Sequence, residues 1–280
     1  MKVVSSLITT LTLSGGRDFY EGDAPVGNLR GVLQAYGDGN LFGEPYGEGP
    51  PRVVWLHGWQ RSGRDFVASA SMLAERGIAS VALDLPGFGA SPAPAEAGGA
   101  RHYAELVEPV VSAIGDGPVL LVGHSFGGTV ATVLAARRPD LVSGLVLTGA
   151  PLLRRGATKR APRSYRTARW LHRHGLISAQ RIEASRQRHG SSDYRNAHGV
   201  MREVLVISVN ESYTDELAQV ASPVTMLWGE NDLEVPVAIA REAGALLSSP
   251  PSLRVLAGVG HMVPTDAPEE LARSVVEALD

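Results

Sequence analysis

The chain has 280 residues, a formal net charge of −3, no cysteine and 44% hydrophobic residues. This length suits one large domain with a sizeable core, and the slightly acidic balance argues against general nucleic-acid binding. The lack of cysteine excludes disulfides, thiol nucleophiles and thiolate metal sites. The sequence contains no run of about 18 apolar residues, so we expect no transmembrane helix.

The first thirteen residues, MKVVSSLITTLTL, combine apolar and β-branched side chains. Serine and threonine interrupt the apolar run, so we predict a strand here rather than a signal peptide, and a cytoplasmic location. Residues 1–50 also contain many glycines and turn residues. They are expected to supply one or two antiparallel edge strands.

From residue 52 onward, short apolar runs alternate with segments of helical periodicity. The predicted strands are Arg52–Leu56, Ile78–Leu83, Val119–Val122, Leu141–Leu147, Val224–Trp228 and Ser252–Leu256. The predicted helices are Asp65–Arg76, Tyr103–Ile114, Thr129–Arg137, Val237–Leu247 and Pro268–Leu279. Pro109 is expected to kink or stop the second of these helices. The alternation predicts an α/β domain with a mostly parallel sheet.

Residues 152–221 break this alternation. Between residues 152 and 205 there are thirteen arginines and lysines but only three acidic residues. Segments 177–189 and 197–209 have helical periodicity. We therefore predict a core domain formed by 1–151 and 222–280, with 152–221 as a helical cap inserted into it.

The segment Gly123-His124-Ser125-Phe126-Gly127 fits the G-x-S-x-G pattern, in which a serine occupies a sharp turn between a strand and a helix. The turn forces the serine backbone into a strained conformation and exposes its hydroxyl. Glycines on both sides avoid collisions that a Cβ would cause. Ser125 is therefore the candidate nucleophile.

A serine nucleophile needs a base, and His261 is the best candidate. It lies between the last predicted strand and the last predicted helix, and loops at the carboxyl ends of parallel strands meet at one edge of a sheet. His57 and His124 lie in tight turns and are expected to bond locally. The histidines of the cap are more typical of a surface.

Asp232 is the candidate acid that orients this base, because it directly follows the strand after the cap. Glu230 and Glu234 compete with it, and the alternation along the chain does not separate them. Asp84 ends another strand beside a proline–glycine turn, and a turn-forming role is expected there.

The developing oxyanion needs backbone donors. The N–H of Phe126, the residue after the nucleophile, is one candidate. The loop His57-Gly58-Trp59-Gln60 follows the first parallel strand, and the N–H of Trp59 is the second candidate. The Trp59 ring either lines the acyl pocket or caps the core.

Five motifs occur in an order that resembles the α/β-hydrolase superfamily. They are His57-Gly58, Asp84-Leu85-Pro86-Gly87-Phe88-Gly89, Gly123–Gly128, Gly229-Glu230-Asn231-Asp232 and Gly260-His261. The order serine, aspartate, histidine is also that of the family. The resemblance covers residues 50–150 and 222–280. It implies an eight-stranded sheet and a Ser125–Asp232–His261 triad, and the insertion at 152–221 falls where the family carries its lid.

Residue types exclude some branches of this superfamily. Haloalkane dehalogenases and epoxide hydrolases use an aspartate where this chain has Ser125, and a cysteine-type dienelactone hydrolase is excluded too. Hydroxynitrile lyases need a lysine near the active site, and this chain contains only Lys2 and, in the predicted cap, Lys159. Carbon–carbon hydrolases and cofactor-free perhydrolases stay open.

We therefore expect a serine hydrolase that cleaves a carboxylic ester or related acyl bond of a small molecule, with neither metal nor organic cofactor. The candidate substrate contacts are Trp59, His124, Trp170 and Met262. A thioesterase, an acyltransferase and a non-catalytic ligand-binding homologue are the alternatives. The basic cap either attracts an anionic acyl group or carrier or, as we favour, is a solvated surface. The substrate and the oligomeric state are not predicted.

Overall fold

The computed structural model describes residues 32–154, 167, 170–178, 180–181 and 192–280. The predicted strand at 1–13 and most of the predicted helix at 177–189 lie outside these residues. The described chain divides into two compact units. The first comprises the described residues up to Ala93, Ala100–Leu153 and Ser212–Asp280, and the second comprises Pro94–Gly99 and the described part of Arg154–Glu211.

The first unit contains an eight-stranded sheet. Its strands are β1 Gln34–Tyr36, β2 Leu41–Tyr46, β3 Val53–Leu56, β4 Ser80–Asp84, β5 Val119–His124, β6 Val142–Thr148, β7 Val224–Gly229 and β8 Ser252–Leu256. Their order across the sheet is β1-β2-β4-β3-β5-β6-β7-β8. β2 pairs antiparallel with β1 and β4, and the six strands from β3 to β8 pair in parallel. The predicted antiparallel edge and mostly parallel α/β sheet are confirmed.

The helices of the first unit follow the parallel strands. They are α1 Val67–Ala74, α2 Ala100–Ile114, α3 Phe126–Arg137, α6 Thr214–Gln219, α7 Val237–Gly244, α8 Val263–Asp266 and α9 Pro268–Leu279, and the second unit supplies α4 Ser192–Asn196 and α5 Gly199–Ser208. Short 3₁₀ turns cover Gly37–Gly39 and Gly63–Phe66. The prediction of an early stop at Pro109 is wrong, because α2 continues through it to Ile114. Pro109 lies on the exposed side, while Val107 and Val110 keep the helix packed on the core.

Helices cover both faces of the sheet. Trp55 of β3 and Val122 of β5 are buried in a cluster with Leu73 of α1 and Leu271 of α9. Alternate residues of a strand point to opposite faces, and α3 packs against the same strands from the other side. Because helices cover both faces, β3, β4 and β5 are buried along their whole length. In the sequence these strands therefore appear as nearly continuous apolar runs.

The second unit contains α4 and α5. Arg202 of α5 donates a 2.8 Å hydrogen bond to the Ala197 carbonyl, and its guanidinium lies 5.2 Å from the ring centre of Tyr194 in α4. The predicted helix at 197–209 is present as α5. The assignment of 152–221 as a cap stays a prediction.

The parallel order brings the loops after β7 and β8 into close contact. A Cβ on Gly229, the last residue of β7, would lie 2.0 Å from the carbonyl oxygen of Gly260. A Cβ on Gly117, by contrast, would point into open space, with no atom within 4 Å other than those of its chain neighbours. The two glycines therefore form a matched pair for a test of this contact.

We predict that Gly229→Ala lowers the free energy of unfolding by about 1–3 kcal/mol, because two backbones must move apart. Gly117→Ala should leave it within about 0.5 kcal/mol of the wild type, as for other surface substitutions. Urea unfolding followed by circular dichroism measures both. Equal stabilities of the two variants would contradict the close packing of these loops.

Candidate active site

Ser125 occupies the turn between β5 and α3. Its φ of 50° and ψ of −118° are rare for a residue with a side chain. The Thr148 carbonyl accepts a 2.8 Å hydrogen bond from the Ser125 N–H, and Gly128 N donates to the Ser125 carbonyl at 3.0 Å. A Cβ on Gly127 would lie 2.1 Å from the Leu56 carbonyl oxygen. The strained turn predicted from the glycine pattern is therefore present and is held from both sides.

His261 lies in the loop between β8 and α8, beside Asp232. The distance from His261 Nδ1 to Asp232 Oδ2 is 2.8 Å. Asp232 is 3% exposed, and its Oδ1 accepts hydrogen bonds from the N–H groups of Glu234 at 2.9 Å and Val235 at 2.7 Å. A carboxylate only accepts, so Nδ1 carries the proton of this bond. The other ring nitrogen, Nε2, is then free to accept a proton.

The end of β6 connects the serine and the histidine. Thr148 binds the Ser125 backbone, and the next residue is Gly149. A Cβ on Gly149 would lie 2.7 Å from His261 Cε1 and 3.4 Å from Asp232 Oδ2. Ser125, Asp232 and His261 thus lie at the same edge of the sheet, although 136 positions separate the first from the last. The Ser125 hydroxyl makes no hydrogen bond to any described residue.

The loop after β3 lies against Ser125. A Cβ on Gly58 would lie 3.2 Å from Ser125 Cβ. Arg61 N donates to the Gly58 carbonyl at 3.2 Å, and Gln60 adopts a φ of 55° in the resulting turn. Within the described part of the chain, the N–H groups of Trp59 and Phe126 have no acceptor. Both are free to bind an oxygen beside the serine.

His57 bonds locally, as predicted. Its Nδ1 donates to the Gly58 carbonyl at 2.7 Å, and its Nε2 accepts from the Leu85 N–H at 2.9 Å. Burial lowers the pKa of this ring, so it stays neutral and keeps both bonds. His57 thereby fixes the loop that carries Trp59.

His124 lies under the candidate base. The ring is 1% exposed, its Nδ1 lies 2.9 Å from Thr148 Oγ1, and its centre lies 4.8 Å from that of His261. Burial, followed by the charge of His261, lowers the pKa of His124 to about 3. The local bonding predicted for His124 is wrong, because its partner Thr148 lies 24 positions away on the neighbouring strand β6. Its substrate contact stays a prediction.

The side chains of Trp59 and Phe126 belong to a cluster of four aromatic rings. The Trp59 ring packs edge-on against Phe88 and Phe126, with centres 4.9 and 5.8 Å away, and Tyr103 packs on Phe126 at 4.9 Å. The Trp59 Nε1 is buried and has no hydrogen-bond partner in the described chain. The sequence predicts only a turn at Phe88 and only a helix at Tyr103, because neither pattern reveals which rings pack together in the fold.

The competing acids have other partners. Asp84 Oδ1 and Oδ2 accept from the N–H groups of Gly63 and Ala90, each at 2.8 Å, which confirms its turn-forming role. Glu230 accepts from Gly258 N at 3.2 Å. Glu234 differs from both, because its Oε2 lies 3.6 Å from Nε2 of His261. This contact was not predicted from the sequence, because Glu234 was considered only as an alternative to Asp232 for the acid that orients His261.

The last two candidate substrate contacts lie in different surroundings. Met262 is half-buried directly after His261, and its carbonyl accepts from Asp266 N at 2.8 Å. Trp170 belongs to the second unit, is half exposed and packs on His174 with centres 4.6 Å apart. Both roles stay predictions. In the described residues no group of three or more potential metal ligands occurs, and no helix there has the length and apolar character to cross a membrane.

The geometry and the sequence point to the same class of protein. The sequence model of the Alpha/beta hydrolase family matches residues 53–274, which is most of the chain. The chain belongs to the alpha/beta hydrolase family. A serine hydrolase of carbazole degradation, CarC, has the same fold, with a TM-score of 0.65 and 20% identity over 89% of this chain and 98% of that one.

Several curated proteins are similar in sequence. A pimeloyl-[acyl-carrier protein] methyl ester esterase of Chromobacterium violaceum is 37% identical over 146 residues, 52% of this chain and 51% of that protein. Lipase LipV of Mycobacterium tuberculosis is 44% identical over 116 residues, 39% of this chain and 41% of that protein. The chain thus matches about half or less of these two relatives. A non-heme haloperoxidase of Rhodococcus erythropolis is 27% identical over 79% of this chain and 89% of its own length.

The buried His124 makes stability depend on pH. In the unfolded chain this ring takes up a proton near its ordinary pKa of 6.5, while in the folded chain it does so at about 3. Between these values the unfolded state binds the extra proton, so stability falls as pH decreases. The expected loss from this one group between pH 7 and pH 5 is about 2 kcal/mol.

His124→Asn should therefore lose less free energy of unfolding than the wild type between pH 7 and pH 5, by about 1–2 kcal/mol. Urea unfolding at pH 5, 6, 7 and 8 measures the difference. Between pH 7 and pH 8 the two proteins should respond alike, because the ring is neutral in both states there. If the free energies of unfolding of the two proteins changed in parallel from pH 5 to pH 8, the buried ring would not resist protonation.

Proposed function

We propose that the chain is a serine hydrolase that cleaves a carboxylic ester, or a related acyl bond, of a small molecule through an acyl-enzyme on Ser125. The observation that carries the proposal is the 2.8 Å hydrogen bond between His261 and the buried Asp232, at the sheet edge where Ser125 is strained. The names of the esterase and lipase relatives support the ester as the bond that is cleaved.

Attack on the substrate requires a proton to leave Ser125. His261 Nε2 accepts this proton while Oγ bonds to the carbonyl carbon, and the Nδ1 proton stays on the bond to Asp232. Asp232 stabilises the imidazolium that forms. Its own position is fixed by two backbone N–H groups, so it need not reorganise during the reaction.

The carbonyl oxygen becomes an oxyanion in this step. The free N–H groups of Trp59 and Phe126 are the donors that we assign to it. Removing one such donor costs about 3 kcal/mol of transition-state stabilisation in enzymes where this has been measured. The Phe126 N–H lies at the start of α3, where the helix dipole adds favourable potential for a negative charge.

Collapse of the intermediate completes the acyl-enzyme. The imidazolium gives its Nε2 proton to the leaving oxygen, the carbonyl re-forms, and the alcohol departs. A water molecule then gives a proton to His261 and attacks the acyl carbon. The second collapse returns the proton to Ser125 and releases the carboxylic acid. These steps need neither a metal nor an organic cofactor.

The same triad serves thioesters and activated carbon–carbon bonds, so the substrate decides among the related activities. A panel of p-nitrophenyl esters from acetate to palmitate, acyl-CoA thioesters and vinylogous diketones separates them by kcat/KM. We expect the esters to be the best substrates. The aromatic wall of Trp59 and Phe88 favours an apolar acyl group beside the serine.

Ser125→Ala should lower ester turnover at least about 1,000-fold, because the acyl-enzyme can no longer form. A fluorophosphonate should label the wild type stoichiometrically at Ser125, as found by peptide mass spectrometry. Ser143→Ala, on the exposed side of β6, is the control and should retain both turnover and labelling. Substantial turnover by Ser125→Ala, or an unlabelled wild type, would rule out the proposal.

Asp232→Asn should lower kcat about 10,000-fold with little loss of stability, because an amide holds the imidazole in the wrong tautomer. Asp84→Asn should instead lower the stability of the fold and leave catalysis largely intact. An asparagine has one acceptor oxygen for two backbone N–H groups, so the free energy of unfolding should fall by about 1–3 kcal/mol, with turnover per folded molecule near wild type. Comparable kinetic losses in both variants would contradict the assignment of the acid.

A further inference from the structure

A second carboxylate lies beside the base. Glu234 Oε2 is 3.6 Å from His261 Nε2, the nitrogen opposite the one that binds Asp232. The Glu234 backbone N–H donates to Asp232 Oδ1, so the turn that fixes the buried acid also directs the Glu234 side chain toward the ring. The imidazole therefore has one carboxylate at each nitrogen.

The two carboxylates differ in their surroundings. Asp232 is buried and has three hydrogen bonds, whereas the Glu234 side chain is 74% exposed. Among the described residues, His261 is the only group able to carry positive charge within 4 Å of Glu234. Arg61, the cation of the loop that carries Trp59, is paired with Asp65 through two hydrogen bonds. The charge of Glu234 is thus available to a ligand.

The reaction brings the leaving group to this place. The proposed mechanism requires Nε2 to give its proton to the leaving oxygen, which must therefore come within hydrogen-bond distance of Nε2. The atoms attached to that oxygen then lie within a few ångströms of Glu234 Oε2. At such a distance an exposed charge attracts a cation or a hydroxyl donor and repels an anion.

We propose that Glu234 is a specificity-determining residue, which makes the site prefer cationic or hydroxyl-bearing alcohol leaving groups over anionic ones. The inference rests on the proposed function and narrows it. Esters of amino alcohols and polyols fit this charge. Thioesters whose leaving group carries phosphates, as a phosphopantetheine carrier does, do not fit it.

The test uses three butyrate esters whose alcohols share a two-carbon spacer and differ in charge: the choline ester, its neutral 3,3-dimethylbutyl isostere and the ester of 2-hydroxyethanesulfonate. The kcat/KM of each charged ester is divided by that of the neutral ester, so a general change in catalysis cancels. The wild type should prefer the choline ester. In Glu234→Gln the choline-to-sulfonate ratio should fall about fivefold, as for an exposed charge that acts on two opposite ligands.

Glu234→Lys should invert the preference, and it keeps the inference testable if the glutamine variant folds poorly. Glu242→Gln is the matched control, because it removes the same charge from an exposed position on α7 and should leave the ratio unchanged. Salt at 0.5 M should reduce the wild-type ratio, since exposed charges are screened.

The outcomes separate this inference from the proposed function. The inference would be overturned by an unchanged choline-to-sulfonate ratio in both Glu234 variants, or by a wild type that prefers the ester of the anionic alcohol. In either case, labelling of Ser125 and turnover of the neutral ester would leave the proposed function intact. A wild type that is inactive on all three esters and unlabelled at Ser125 would overturn both.

Discussion

The hydrogen bond between Asp232 Oδ2 and His261 Nδ1 decides which nitrogen of the His261 ring is available to accept a proton. It depends on a carboxylate that cannot turn, because its other oxygen accepts from two backbone N–H groups of the same loop. With Nδ1 engaged, the proton acceptor is Nε2. The roles that we propose for Ser125, for the oxyanion donors and for Glu234 all follow from this assignment.

The geometry also depends on places where no side chain fits. The loops after β7 and β8 touch at Gly229 and Gly260, the end of β6 touches His261 at Gly149, and the loop after β3 touches Ser125 at Gly58. Each contact leaves too little room for a Cβ to be added without movement. Four separate loops can therefore meet at one edge of the sheet with side chains of the site in contact. The strain at Ser125 is supported by the same packing, since Thr148 binds its backbone from the neighbouring strand.

Much of the fold could be predicted from the sequence, because buried parallel strands appear as short apolar runs between helical segments. The same regularity indicated that Ser125, Asp232 and His261 follow strands whose carboxyl ends share an edge. The local hydrogen bonding of His57 and the turn-forming role of Asp84 were likewise predictable from the adjacent glycines and prolines. Of the two alternatives expected at Pro109, a kink or an early stop, the stop was wrong, because packing of one helix face outweighed the loss of a single backbone hydrogen bond. The N-terminal strand and the cap boundaries stay predictions.

The sequence by itself determined the α/β class, the order of the motifs and the residue types that the proposed chemistry needs, because these depend on periodicity and on local backbone constraints. Only the tertiary structure decided which side chains meet. The burial of His124 under His261, the Trp59–Phe88–Phe126 contacts and the approach of Glu234 to Nε2 join residues from different loops. A sequence pattern does not give the distance between such residues, because the order of the strands and the conformations of the loops determine that distance.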